Sequence, residues 1–162
     1  MDQLWAPWRL TYVAQNPPPK PNDDCFICRG LLESDDRRNQ IVQRTAKSVV
    51  LLNKYPYNNG HLLVAPLTHI GRFDDLAVDE LTEIMDSVRR MVRILEKLMR
   101  ADGFNIGLNL GKAAGAGLPG HLHWHIVPRW NGDTNFMPVV GDTKVIAQSL
   151  EALYDLLAKE LG

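Results

Sequence analysis

From Val78 to Met99, apolar residues fall at positions 78, 81, 84, 85, 88, 91, 92, 95, 98 and 99, a stripe at the 3.6-residue period of an amphipathic helix. Asp79 and Glu80 stand in its first turn, where the helix dipole favours negative charge. Upstream the period shortens. Ile41–Arg44, Ser48–Asn53 and Gly60–Pro66 are β-rich runs, and the KYPYNNG between the last two has the Pro and Asn-Gly chemistry of a hairpin connection. Downstream, Phe104, Ile106, Leu108 and Leu110 alternate as a strand over 104–110, a glycine-rich GKAAGAGLPG follows, and His121–Arg129 predicts another strand. A last helix is expected over 143–161, capped by Thr143, with Ile146, Leu150, Leu153 and Leu157 on one side. About five strands and two main helices, joined chiefly by hairpins, predict an α+β domain with a largely antiparallel sheet and helices on one face.

The rest of the chain frames this core. Residues 1–24 carry Trp5, Trp8 and Tyr12 ahead of a proline cluster (Pro17–Pro19 and Pro21), which predicts a docking leader followed by an extended connector. After CFIC, the polar GLLESDDRRNQ reads as a loop or short helix. At 162 residues and 18.3 kDa, one domain over 1–162 is expected, with its core at 25–140. Hydrophobic residues at 45% and charged residues at 23% are ordinary for a globular protein. A net charge of −1 argues against an electropositive nucleic-acid footprint. No apolar run nears the roughly 20 residues of a membrane span, and the N-terminus lacks the pattern of a signal peptide. A cytoplasmic protein with no nucleic-acid or membrane partner is expected. In that reducing setting Cys25 and Cys28 suit a metal or redox site better than a structural disulfide.

Three of the five histidines stand at 121, 123 and 125 in GHLHWHIVPRW. On a strand, Leu122, Trp124 and Ile126 would face the core and the histidines the other side, with alternate imidazoles roughly 6.6 Å apart. Chance enrichment of a solvated face is a poor account of strict alternation in so histidine-poor a chain. Two chemistries compete. The row can bind a catalytic metal, or one imidazole can attack phosphorus. Glycines of the adjacent loop let backbone N–H groups approach a phosphate, with Lys112 nearby, which favours phosphate chemistry.

HLHWHIV fits His-φ-His-φ-His-φ-φ, with φ apolar, and on this motif the chain resembles the histidine triad (HIT) nucleotide hydrolases and transferases. LLNKYPYNNGHLLVAPLTHI is similar to the family's upstream hairpin and RFDDLAVDELTEI to the start of its long helix, so the resemblance covers roughly residues 25–140. LWAPWRL and WNGDTNFMPVVGDTKVI resemble the bacterial branch that splits diadenosine tetraphosphate by phosphorolysis. The resemblance implies a HIT fold pairing as a homodimer. It implies that His123 attacks the α-phosphorus to give a covalent nucleotidyl-histidine, and that His125 contacts the phosphate and helps the leaving group depart. Asn53 matches a position near the ribose and Asn109 one where a polar side chain approaches the phosphates. Gly117 stands where relatives carry a polar side chain, leaving only its backbone to serve.

Cys25-x2-Cys28 alone is half a zinc site, and a pair of ordinary buried cysteines is the plain alternative. In some HIT proteins two cysteines, a distant histidine and the first triad histidine form a structural site. By position this implies Cys25, Cys28, His69 and His121 holding one structural zinc per chain, with no catalytic metal at the reacting phosphorus. His61 reads as a hydrogen-bonded structural histidine, and Trp130 and Phe136 as core packing, with a base pocket or a dimer contact as the alternatives. The expected function is cleavage of dinucleoside polyphosphates through His123, with phosphate or water as acceptor. The alternatives are a zinc-dependent hydrolase with the triad as ligands, a nucleoside phosphoramidate hydrolase, and a nucleotide-binding module without turnover.

Overall fold

The computed structural model describes residues 25–134, 141 and 145–162. In chain order the elements are α1 (Phe26–Leu32), β1 (Ile41–Arg44), β2 (Ser48–Leu52), β3 (Leu62–Pro66), α2 (Val78–Met99), β4 (Gly103–Leu108), β5 (Trp124–Arg129) and α3 (Leu150–Leu161). The five strands form one sheet in the order β1-β2-β3-β5-β4, antiparallel at every pairing. Central β2 and β3 are buried along their whole length, which is why they read as continuous apolar runs. The antiparallel α+β expectation holds, and α2 has the bounds its periodicity predicts.

One face of the sheet carries Val50, Leu52, Leu62, Val64, Trp124 and Ile126 under Ile84, Val88, Met91 and Leu95 of α2 and Leu153 and Leu157 of α3. Glu83 of α2 also accepts from the Lys47 N–H at 2.8 Å and from Thr45, so this helix side anchors the β1–β2 turn. Both main helices thus share one face, as expected, and the other face is covered separately. Val49, Leu51, Leu63 and Ala65 form a second apolar cluster on the opposite face, closed by Cys25, Ile27 and Ile41. The short α1, begun by a Cys25 Sγ that accepts from Cys28 N–H, lies there.

The starts of the last helix and of β5 differ most from expectation. The last helix starts at Leu150, capped by Ser149 Oγ accepting from Ala152 N–H at 3.2 Å, because Ser149 supplies the oxygen that ends the non-helical approach at 145–148. Thr143 lies outside the described residues, as do the leader at 1–24 and Phe136. Strand β5 begins at Trp124 rather than His121, since Leu122 N–H bonds Ile70 O (2.7 Å) in the loop after β3. The in-out alternation nonetheless continues back through His121: Leu122 joins Trp124 and Ile126 in the core, while His121 meets Cys25 and His123 lies beside His125.

Candidate active site

Two separate segments converge on the Cys25–Cys28 pair. His121 Nε2 donates to the Pro66 carbonyl at 2.9 Å, which leaves Nδ1 as an unprotonated acceptor facing Cys25 Sγ (3.3 Å) and Cys28 Sγ (3.4 Å). His69 Nδ1 lies 3.2 Å from Cys28 Sγ. The four candidate ligand atoms lie within 4.8 Å of one another. A tetrahedral zinc would set sulfur and nitrogen about 3.6 Å apart, so the donor set fits that ion. The Nε2–H to carbonyl bond of His121 is the outer support such a ligand ordinarily has. Gly71 permits this convergence: a Cβ there would lie 2.9 Å from the Pro119 carbonyl, where the His69 loop crosses the glycine-rich loop.

The next two histidines point elsewhere. His123 Nδ1 donates to the His121 carbonyl at 2.8 Å, so its Nε2 carries the free lone pair. The His125 tautomer follows from a chain of bonds. Tyr57 N–H donates to His61 Nδ1 (3.0 Å), which puts the proton of neutral His61 on Nε2, and Nε2–H donates to His125 Nδ1 at 2.9 Å. The His125 proton therefore sits on Nε2, a buried atom with no acceptor among the described residues. The His123 and His125 rings meet edge-on, with centroids 5.1 Å apart. A lone pair and an N–H are thus presented side by side.

Burial holds both imidazoles neutral. It depresses His123, partly offset by the bond to the His121 carbonyl, and takes His125 down to about 4, assisted by the charge of a protonated His123. Since only the low-pH side charges a depressed imidazole, the His125 Cε1–H resonance is expected not to titrate between pH 8 and about 5.5, where an unperturbed histidine near 6.5 would. A midpoint at or above the ordinary value would overturn the assigned protonation.

The HIT domain model matches residues 35–132. The chain belongs to the HIT family. It is 39% identical to a Mycobacterium tuberculosis protein named AP-4-A phosphorylase, over 99% of this chain and 84% of that one. It is also 39% identical to an asymmetrical bis(5'-nucleosyl)-tetraphosphatase of Schizosaccharomyces pombe, over 59% of this chain and 52% of that protein. A zinc-bound histidine triad family protein from Mycobacterium smegmatis superposes with a TM-score of 0.66 at 25% identity, covering 85% of this chain and 93% of that one.

Within this HIT fold, the structure brings Cys25, Cys28, His69 and His121 into one group, and Asn53, His61, His125 and His123 into another. Asn53 reaches the triad through His61, its Nδ2 lying 3.2 Å from Nδ1. Asn109 follows β4 directly, one residue beyond the Leu108–Trp124 pairing, and Gly117 is exposed in the loop that leads back to His121. His61 is the residue that sequence reasoning undervalued. It is buried and hydrogen-bonded, as expected, but its partner is a triad histidine. The signal was its place four residues beyond Tyr57 at the mouth of β3, and only the β3–β5 pairing turns that place into a contact. Trp130 caps the end of α2, donating from Nε1 to the Met99 and Arg100 carbonyls at 3.2 and 3.0 Å.

Proposed function

We propose that the protein cleaves dinucleoside polyphosphates of the diadenosine tetraphosphate type at an α-phosphate, through a covalent nucleotidyl-His123. The observation that carries this reading is the fixed tautomer of His123, whose Nδ1–H is held by the His121 carbonyl and whose Nε2 lone pair stands beside the unpartnered Nε2–H of His125. In the first step Nε2 of His123 attacks phosphorus, the new P–N bond forming as the P–O bond to the departing nucleotide breaks. His125 Nε2–H hydrogen-bonds the oxygen on which negative charge grows. In the second step an acceptor oxygen attacks the same phosphorus, displaces His123 and releases the product. Asn109 and the backbone of Gly117 serve the phosphates, and Asn53 holds His61 and borders the ribose.

Inorganic phosphate is the acceptor we favour, because a relative similar over nearly the whole chain is named a phosphorylase. We assign one structural zinc to Cys25, Cys28, His69 and His121, supported by the donor geometry and by the zinc-bound HIT neighbour. Zinc there supplies cross-linking, not chemistry at phosphorus; all four positions are protein ligands and none is left for substrate. The protein is taken to act as a cytoplasmic homodimer, with outer strand β4 and its exposed Ile106 supporting a joint between two sheets.

The test is turnover of diadenosine tetraphosphate with and without inorganic phosphate, resolving products by chromatography. ADP plus ATP, formed only with phosphate, is expected. AMP plus ATP without phosphate would move the acceptor to water and keep the intermediate. No cleavage in either condition would overturn the substrate class. A chelator added during a short assay is expected to leave the rate nearly unchanged, and prompt loss would favour a catalytic metal.

A further inference from the structure

Along the sheet His125 lies between Leu63 of β3 and Gly107 of β4. Across β5–β4 its partner is Gly107, where even a Cβ would meet nothing within 4 Å, so that strand offers its ring no wall. Its anchor is the bond from His61 at one nitrogen. One hydrogen bond fixes a point, and the terminal torsion of an imidazole is soft, so the tilt of the ring is set by the side chains packed against it. Tyr57 supplies a plane. Its ring lies at 18° to that of His125 with centroids 5.6 Å apart, and it also lies 4.7 Å from the His61 ring at 42°. Tyr57 is 42% exposed, and its ring stacks on His125 while lying tilted to His61.

We propose that Tyr57 is a positioning residue for the transfer reaction: its ring, stacked on the His125 imidazole, holds the plane in which Nε2–H meets the departing oxygen. The role rests on the reaction proposed above. Stacking of this kind favours a definite offset geometry beyond simple area burial, which distinguishes a ring from any apolar cover. Backbone and side chain of Tyr57 then act together. The N–H sets the His61 tautomer, and with it the His125 proton, while the ring sets the direction of that proton.

Two substitutions separate plane from cover. Tyr57→Phe keeps the ring and is expected to retain most of kcat. Tyr57→Leu keeps an apolar cover but no plane; misdirection of one donor predicts a loss of about 10- to 100-fold in kcat, with KM changed less than about 3-fold. The His125 Cε1–H and Cδ2–H resonances give a readout that needs no turnover: an upfield ring-current shift in the wild type and Y57F, lost in Y57L. Equal kcat in Y57L and wild type would overturn the role, as would Y57F losing as much as Y57L. Should Y57L fail to fold, Tyr57→Met takes its place, and absence of an upfield shift in the wild-type spectrum would overturn the stack directly. A wild type that cleaves no dinucleotide overturns the reaction and this role with it. An active wild type with an insensitive Y57L overturns the role alone.

Discussion

Replacing His123 with alanine is expected to lower diadenosine tetraphosphate cleavage by at least about 10,000-fold in kcat while leaving the metal content and fold intact. The magnitude follows from the kind of interaction lost. In the proposed reaction Nε2 of His123 is the atom that bonds phosphorus, so without it the two-step route would close and only direct attack by phosphate or water would remain. Electrostatic help from His125 and the loop backbone would persist and account for residual rate. The fold should tolerate the change because His123 donates from Nδ1 to a carbonyl within its own segment, two residues away, and ties no distant element. Metal analysis supplies the second arm. Zinc retained with activity gone matches a nucleophile; zinc and activity lost together would assign the triad to a catalytic metal.

Removing the proposed zinc is expected to have the other large effect, on stability first. Cys25 is buried at the head of α1, and its sulfur lies opposite His121 and beside Cys28. The four ligand side chains come from α1 with its cap, the loop after β3 and the segment before β5, which no continuous secondary structure joins. Losing about 5 kcal/mol of metal-linked folding energy would lower Tm by roughly 10–20 °C in a chain of this size. Cys25→Ala is the variant to measure by thermal melting and metal analysis. The same loss should slow the reaction, since His121 would hold zinc through Nδ1 while its carbonyl holds Nδ1–H of His123. A Cys25→Ala protein that melts like the wild type, or a freshly purified wild type with two free thiols and no zinc, would overturn the assignment.

Much of this architecture was legible in local pattern. The stripe from Val78 to Met99 defines α2 because a 3.6-residue period is a property of neighbouring residues alone. The alternation around Leu122, Trp124 and Ile126 places those residues on the core face, and hence the histidines opposite, for the same reason. Identifying the triad, the cysteine pair and the glycine-rich loop likewise needed only adjacency. The late start of α3 shows the limit of such reading. Apolar Ile146 is in phase with the helix, but a backbone start depends on where a cap forms, and Ser149 provides it.

The division of labour among the histidines was decided by tertiary structure. Five imidazoles are chemically alike in sequence; the group that each meets distinguishes them. His123 finds its carbonyl two residues away and His61 its N–H four residues away, but His121 and His125 take their partners from far along the chain. Pro66, 55 residues before His121, turns that side chain's Nδ1 toward the cysteines. His61, 64 residues before His125, assigns the His125 proton. Gly107 strips one side of His125 bare, and Tyr57 covers its ring. The second apolar face and its short helix have the same origin, since which strands lie together determines which residues need covering. Sequence by itself determined the elements and the chemistry they carry, because periodicity and residue type are local. Tertiary structure decided which nitrogen of His121 faces the cysteines and which nitrogen of His125 keeps its proton, because those tautomers depend on hydrogen-bond partners brought from distant parts of the chain.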